Sequence, residues 1–183
     1  MASVGHIAVG MAAARAYDIR RAPRWTAMAA WSALAMLPDL DVIGFALGVK
    51  YGDPWGHRGA THSLTMAVAL SAVMTLIARR RGYPPGRTAL FTTAVLASHG
   101  ILDTMTDGGL GCALLWPFSL TRFFAPWRPI PVAPIGLDFL SLYGAIVSAT
   151  ELALFSPLFV YALRPRRPCG PRDRRTGRRA RIR

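Results

Sequence analysis

Four histidines occur in 183 residues, and two of them, His57 and His62, flank an arginine in the stretch GHRGATHSL. The others are His6 and His99, the latter in SHGILDTMTDGG, four residues ahead of Asp103. A spacing of i and i+4 puts His99 and Asp103 on one helix face. Neutral imidazole and carboxylate are together the donor set of a divalent cation, zinc first, with manganese or magnesium as alternatives. A second pair of carboxylates, Asp39 and Asp41, follows a proline in the run LPDLD. Proline removes a helix hydrogen bond and clashes with the preceding turn, so both aspartates can turn toward one site. The plainer alternative is a loop between two short helices, with one aspartate as an N-cap.

The GHRGATHSL stretch offers more than ligands. Gly56 and Gly59 imply a turn with close backbone approach, and Thr61 or Ser63 suits the cap of a following helix. Arg58 is a planar fork matched to phosphate or carboxylate. His57 and His62 can ligate a metal or act as acid or base near neutral pH. Solvated histidines in an interfacial loop are the bland reading.

The elements that must hold these residues are apolar helices. A membrane span needs about 20 mainly apolar residues. Residues 25–49, 61–78, 88–105 and 139–163 come close, residues 6–17 form a shorter helix, and the Pro- and Trp-rich stretch 110–137 reads as an irregular interfacial segment. Trp116, Trp127 and the pair Phe123-Phe124 suit interface anchors. The reading is therefore all-α: an integral membrane bundle of about four spans plus a short N-terminal helix, residues 1–163, followed by an Arg-rich tail, residues 164–183. A soluble helical protein is the alternative, because two of the segments are short.

Charge supplies the topology. Ten of the chain's arginines lie in residues 164–183, and the formal net charge is +13. Arg20, Arg21 and Arg24 precede the first span, and Arg79, Arg80, Arg81 and Arg87 separate the second from the third. Four crossings put all these clusters on one side, which the positive-inside rule makes cytoplasmic. The same count gathers Asp39, Asp41, His57, His62, His99 and Asp103 toward the opposite face. His6 joins them only on a re-entrant or tilted N-terminal helix. The tail suits anionic lipid headgroups. Nucleic acid is not expected, since no aromatic residues interleave its arginines as stacking platforms. Cys112 and Cys169 form no framework.

Buried ionisable groups in membrane helices cost about 2.5–3.5 kcal/mol each on insertion scales. Asp39, Asp41, His99, Asp103 and Glu151 all lie in or at the ends of apolar runs, and a shared cation offsets several of them at once. Glu151 is instead expected to serve an interhelical partner, Asp107 to sit in a turn at the site rim, and Asp138 to cap the fourth span.

These motifs resemble a known family. Gly5-His6, Pro38-Asp39-Leu40-Asp41, His57-Arg58-Gly59-Ala60-Thr61-His62-Ser63, Ser98-His99 with Asp103, Thr106 and Gly109, and Leu115-Trp116-Pro117 occur in the order found in the YdjM-like family of bacterial inner-membrane proteins. That resemblance covers about residues 1–160 and leaves out the tail. It implies a multi-span helical protein of the bacterial inner membrane with a His/Asp metal site, described as a metal-dependent hydrolase, and it supplies no substrate. The order of ligands is also similar to that of the all-helical zinc-dependent phospholipases C, which points to phosphodiester hydrolysis, although those enzymes use more histidines than the four here.

The resulting expectation is a metal-dependent hydrolase of a lipid-like phosphoester at the non-cytoplasmic face. His6, Asp39, Asp41, His57, His62, His99 and Asp103 form the ligand pool. Asp39 or His62 would handle the water's proton and Arg58 the substrate anion. The rival is a non-catalytic metal-binding, metal-transport or structural membrane protein. The first half of the first span and the second half of the second are nearly bare of polar positions, which argues against a transport pathway. Oligomeric state is not encoded in any motif.

Overall fold

The computed structural model describes residues 3–18 and 22–165, and all of its regular structure is helical. Arg20, Arg21 and nearly all of the Arg-rich tail lie outside the described residues. Helix α1 (Ser3–Tyr17) is followed by α2 (Arg24–Met36), which runs on into an 11-residue 3-10 helix (Leu37–Leu47). A 3-10 turn at Ala60–His62 leads into α3 (Leu64–Arg80) and α4 (Pro85–Thr104), and a last 3-10 helix (Gly136–Leu140) precedes α5 (Leu142–Leu154) and α6 (Ser156–Leu163).

Two hairpins dominate, α1 with α2 and α3 with α4, and both α1 and α2 also pack on α4. The first is held by small and flexible residues, with Ala14, Met28 and Ala162 buried together and Met11, Ala27 and Trp31 around them. Small side chains let helices approach closely where apolar lipid supplies little drive for association. Ser32 adds a hydrogen bond to the Ile7 carbonyl at 3.2 Å. Helix α1 is thus a full member of the bundle, antiparallel to α2. The sequence left open how His6 joins the other histidines; the α1–α2 hairpin brings it inward, onto His99. Glu151, fully buried on α5, accepts a hydrogen bond from the Gly5 amide at 3.0 Å, satisfying one of the orphan donors of the first turn of α1. That is the interhelical role expected of it.

The boundaries differ in instructive ways. Helix α3 starts at Leu64, capped by Ser63 Oγ on the Met66 amide at 3.0 Å, so His62 lies outside the apolar helix. Ser141 caps α5 through the Gly144 amide, which corrects the role expected of Asp138. The expected fourth span is bent by 61° between α5 and α6. The helical axis is not broken at Pro38; the backbone tightens there into the 3-10 form instead. Residues 105–135 are irregular as expected, pinned by isolated bridges between Thr106 and Ile130 and between Cys112 and Phe123.

Polarity is distributed as in a lipid-facing protein. Leu47, Phe118, Leu137, Leu140 and Leu142 are each more than three-quarters exposed, while His6, Arg58, His62, His99, Asp103 and Glu151 are buried. Buried charge and exposed large apolar groups are the informative departures from ordinary globular patterning. By length and composition, among the described residues, Arg24–Leu47 is apolar enough to cross a membrane, and α5 with α6 would make a second span if the bent pair counts as one. At one end of the bundle Arg87 caps the α1 carbonyl of Ala16, and Arg24 and Arg15 reach the α6 carbonyl of Ala162, with Arg15 also on that of Arg164. The histidines lie at the other end. On α4 the step from Arg87 to His99 is about 18 Å at 1.5 Å per residue.

Candidate metal centre

Asp39 and Asp41 come from the long 3-10 helix. With 3.0 residues per turn, positions i and i+2 lie about 120° apart around the axis, closer than in an α-helix. Both carboxylates can therefore address neighbouring parts of one cluster. Opposite them, His99 and Asp103 project from the last turns of α4. His62 is brought in by the 3-10 turn, where its carbonyl rests on Gly100 so closely that any Cβ there would overlap it. His6 completes the ring set, stacked on His99 with centroids 3.6 Å apart.

The hydrogen bonds sort the tautomers. Nδ1–H of His99 donates to the Ala35 carbonyl at 2.7 Å, which leaves Nε2 as a lone pair. Nδ1 of His62 lies 3.0 Å from Thr61 Oγ1, whose hydroxyl donates to Asp41 Oδ2 at 2.6 Å, so the Nε2 of His62 is also free to accept. These two Nε2 atoms are 3.1 Å apart. Asp39 Oδ1 is 3.2 Å from His99 Nε2 and 3.4 Å from His62 Nε2, and Asp103 Oδ2 is 3.4 Å from His62 Nε2 and 4.0 Å from His99 Nε2. Four acceptor atoms converge with no donor among them, and beyond the Arg58 guanidinium on Asp103 the cluster suits a further cation, either a proton or a metal.

The geometry suits a metal. Ligand atoms about 2.0–2.1 Å from a tetrahedral zinc are about 3.3 Å from one another, close to the separations seen here. All four of these ligand atoms lie within 4.8 Å of one another. His6 Nε2 is a buried nitrogen with no hydrogen bond, 3.4 Å from Asp103 Oδ1, and stands ready as a further donor. Burial and the neighbouring His99 hold the His6 ring down at about 4, in the neutral form a metal uses. Burial pulls His62 down too, but the carboxylates of Asp103, Asp39 and Asp41 outweigh it and raise the group to about 10. Without a metal, His62 is the residue that carries the compensating proton.

The expected ligand pool divides. Asp39, His62, His99 and Asp103 face the common point, with His6 beside them. Asp41 and His57 stand one layer out: His57 Nδ1 donates to Asp41 Oδ1 at 2.7 Å while Asp41 Oδ2 takes the Thr61 hydroxyl. Asp41, His57 and His62 could in turn hold a second ion, but the short hydrogen bonds to Asp41 describe a support that orients His62, as carboxylates behind metal-ligating histidines do. Arg58 is 1% exposed, adopts a left-handed backbone at φ 62°, and lies with Nε 3.3 Å from Asp103 Oδ2 and Nη1 2.8 Å from Thr106 Oγ1. Its fork is thus turned onto Asp103 rather than held open. Gly56 sits against the Lys50 carbonyl with no room for a side chain, as the turn requires.

Sequence reasoning missed Arg122. Its Nη1 donates to the carbonyls of His57 and Gly111, and its Nη2 to those of Tyr51 and Asp53, which fastens the His57 loop to the 111–122 segment. An isolated arginine amid apolar and aromatic residues was the available signal. Asp107 accepts the Val132 amide at 2.7 Å, the turn role expected of it.

A cavity of about 730 Å³ opens beside the cluster. Asp39, His57, Arg58 and Tyr51 form its polar end, and Leu40, Val42, Val132, Ile135 and Phe139 supply apolar wall, with Asp138 among them. Asp39, with a side chain 20% exposed, is the inner-cluster carboxylate that borders this space.

Fold and site together define an all-helical protein, apolar outside, with a buried His/Asp cluster able to bind a metal ion. The chain belongs to the YdjM inner membrane protein family, whose sequence profile matches residues 1–165. It is similar to the inner membrane protein YbcI of Escherichia coli (strain K12), 48% identical over 122 residues that cover 65% of this chain and 70% of YbcI. No solved structure matches. The family resemblance read from the motifs holds, and with it the inner-membrane setting.

Proposed function

We propose that the chain is a membrane-bound, metal-dependent hydrolase acting on a phosphoester with a lipid portion, at the non-cytoplasmic face of a four-span bundle. The carrying observation is the all-acceptor cluster of Asp39, His62, His99 and Asp103 beside a cavity that is polar at one end and largely apolar along its wall, where Asp138 is the acidic group. Arg15, Arg24, Arg81 and Arg87 gather at the opposite end, which supports the orientation, with α3 and α4 as the second and third spans and the Arg-rich tail on the cytoplasmic side against anionic headgroups.

Zinc suits a mixed imidazole and carboxylate set; manganese or magnesium would draw more on the carboxylates. Bound there, the ion supplies Lewis acidity and brings water toward ionisation at neutral pH. The chain's residues do the rest. Asp39 borders the cavity and is placed to accept a proton from water. His62 is oriented by Thr61 and Asp41. Arg58 holds Asp103 in place and adds positive charge at the polar end, favouring an anionic headgroup by field more than by an open fork. The apolar wall takes the lipid portion.

A second reading has its own observation. Two histidines and two aspartates already make four protein ligands, the number that closes a structural zinc site. A closed site would fasten the 3-10 helix Leu37–Leu47, α4 and the 60–62 turn without catalysis. Metal content and hydrolysis of long-chain against water-soluble phosphoesters, measured on protein in detergent with and without His99→Ala/Asp103→Ala, separate the readings. Metal near one equivalent with turnover of the long-chain ester, both lost in the double variant, supports the hydrolase. Metal without turnover favours the structural site, and no metal after zinc or manganese loading overturns both.

A further inference from the structure

The arginine-rich end of the bundle holds a second cavity that the proposed chemistry does not use. Helices α2 and α3 flank α4 but stand apart: among the described residues no Cα of one comes within 8 Å of a Cα of the other. The gap is a lateral cleft of about 280 Å³. Ala27, Ala30 and Trp31 line it from α2, and Met74, Ile77 and Ala78 from α3. Its floor is Tyr17 and Thr88, whose hydroxyls satisfy each other at 2.6 Å. Water held in a cavity needs two to four polar partners; Thr26, Tyr83 and Arg81 supply some at the edge, and the rest of the wall is apolar and offers none. Alkyl chains do not need them.

The mouth is charged. Arg81 lines the cleft, and Arg79, Arg80 and Arg87 are exposed around the same end, with the Arg87 guanidinium 5.6 Å from the Tyr17 ring centroid. Arg81 and Arg87 thus stand at the cleft, with Asp18, next to Tyr17, as the nearby acid. An apolar slot between two membrane helices, rimmed by guanidinium groups, matches an amphiphile with an anionic head.

We infer that the cleft between α2 and α3 binds one acyl chain of an anionic phospholipid, with its phosphate held by Arg81 and the arginines beside it. The site rests on inner-membrane residence and this geometry, and stands or falls separately from hydrolysis. Small side chains at Ala27, Ala30 and Ala78 keep the slot open for a chain. Trp31 on its wall is a built-in reporter.

The test uses the full chain in mixed micelles, titrated with phosphatidylglycerol or phosphatidylcholine carrying brominated acyl chains, with tryptophan fluorescence as readout. Phosphatidylglycerol should quench at lower mole fraction than phosphatidylcholine. Trp31→Phe should remove that difference, Arg81→Gln should weaken the anionic preference roughly fivefold, and Ala30→Phe/Ala78→Phe should abolish the tight phase. Excess inorganic phosphate should not compete. Thermal unfolding in detergent reports whether each variant is folded, and Trp31→Phe and Arg81→Gln leave the slot itself open should the filled variant misfold. Equal quenching by the two lipids, or a preference unchanged in Trp31→Phe, overturns the assignment.

Discussion

His99 donates its Nδ1–H to the Ala35 carbonyl 2.7 Å away, and this one bond between α4 and the end of α2 turns the Nε2 lone pair into the Asp39, His62 and Asp103 cluster. Backbone thus selects the tautomer a cation needs.

His99→Ala should lose the metal, and Asp41→Asn should only weaken it. Asp41 Oδ2 lies 3.2 Å from His62 Nδ1 and takes the Thr61 hydroxyl beside it, so its loss should lower affinity about 10- to 100-fold, the usual cost of removing such support. Metal stoichiometry by elemental mass spectrometry, before and after loading with excess zinc, checks both. Equal loss in the two variants would instead make Asp41 a ligand.

Metal affinity should rise with pH. In the metal-free fold His62 is raised from 6.5 to about 10, so its proton stabilises that state fully below pH 6.5 and the benefit fades as pH climbs through 10. At pH 7 the metal must displace about one proton, and apparent affinity should grow about tenfold per pH unit. Competition with a chelator between pH 6 and 8 measures the slope; a flat profile would mean His62 is neutral without metal.

Glu151→Ala should destabilise the fold by about 1–3 kcal/mol by leaving the buried Gly5 amide unpaired. Glu151→Gln keeps an acceptor and should cost less. Thermal unfolding in detergent ranks them.

Arg122→Lys should behave nearly like Arg122→Ala, because an ammonium cannot reproduce a planar fork spread over four carbonyls. Limited proteolysis of the 50–58 loop should accelerate in both.

Burial pushes the Cys112 thiol up to about 12. In a Cys169→Ser background its alkylation near neutral pH should be roughly a thousandfold slower than that of a free thiol with a pKa near 8.5. Labelling should become fast only on unfolding.

Helices and chemistry were legible in the chain itself. Apolar runs announced α2, α3, α4 and the α5–α6 segment, because long stretches with little charge and few helix breakers favour continuous helices. His99 and Asp103 declared a shared face through their spacing. Distribution of arginine foretold one basic end, which the described Arg15, Arg24, Arg87 and Arg164 form together. Tertiary structure decided the rest. Only packing turned Pro38 into the start of a 3-10 helix rather than a break, since local sequence allows either. Only the hairpin of α1 with α2 carried His6 to His99, across 93 positions in the chain. The division between Asp39, which faces the other ligands, and Asp41, which orients His62, follows from hydrogen bonds to groups distant in sequence. Spacing names residues that can share a face; which of their atoms meet depends on the directions in which separate helices are packed.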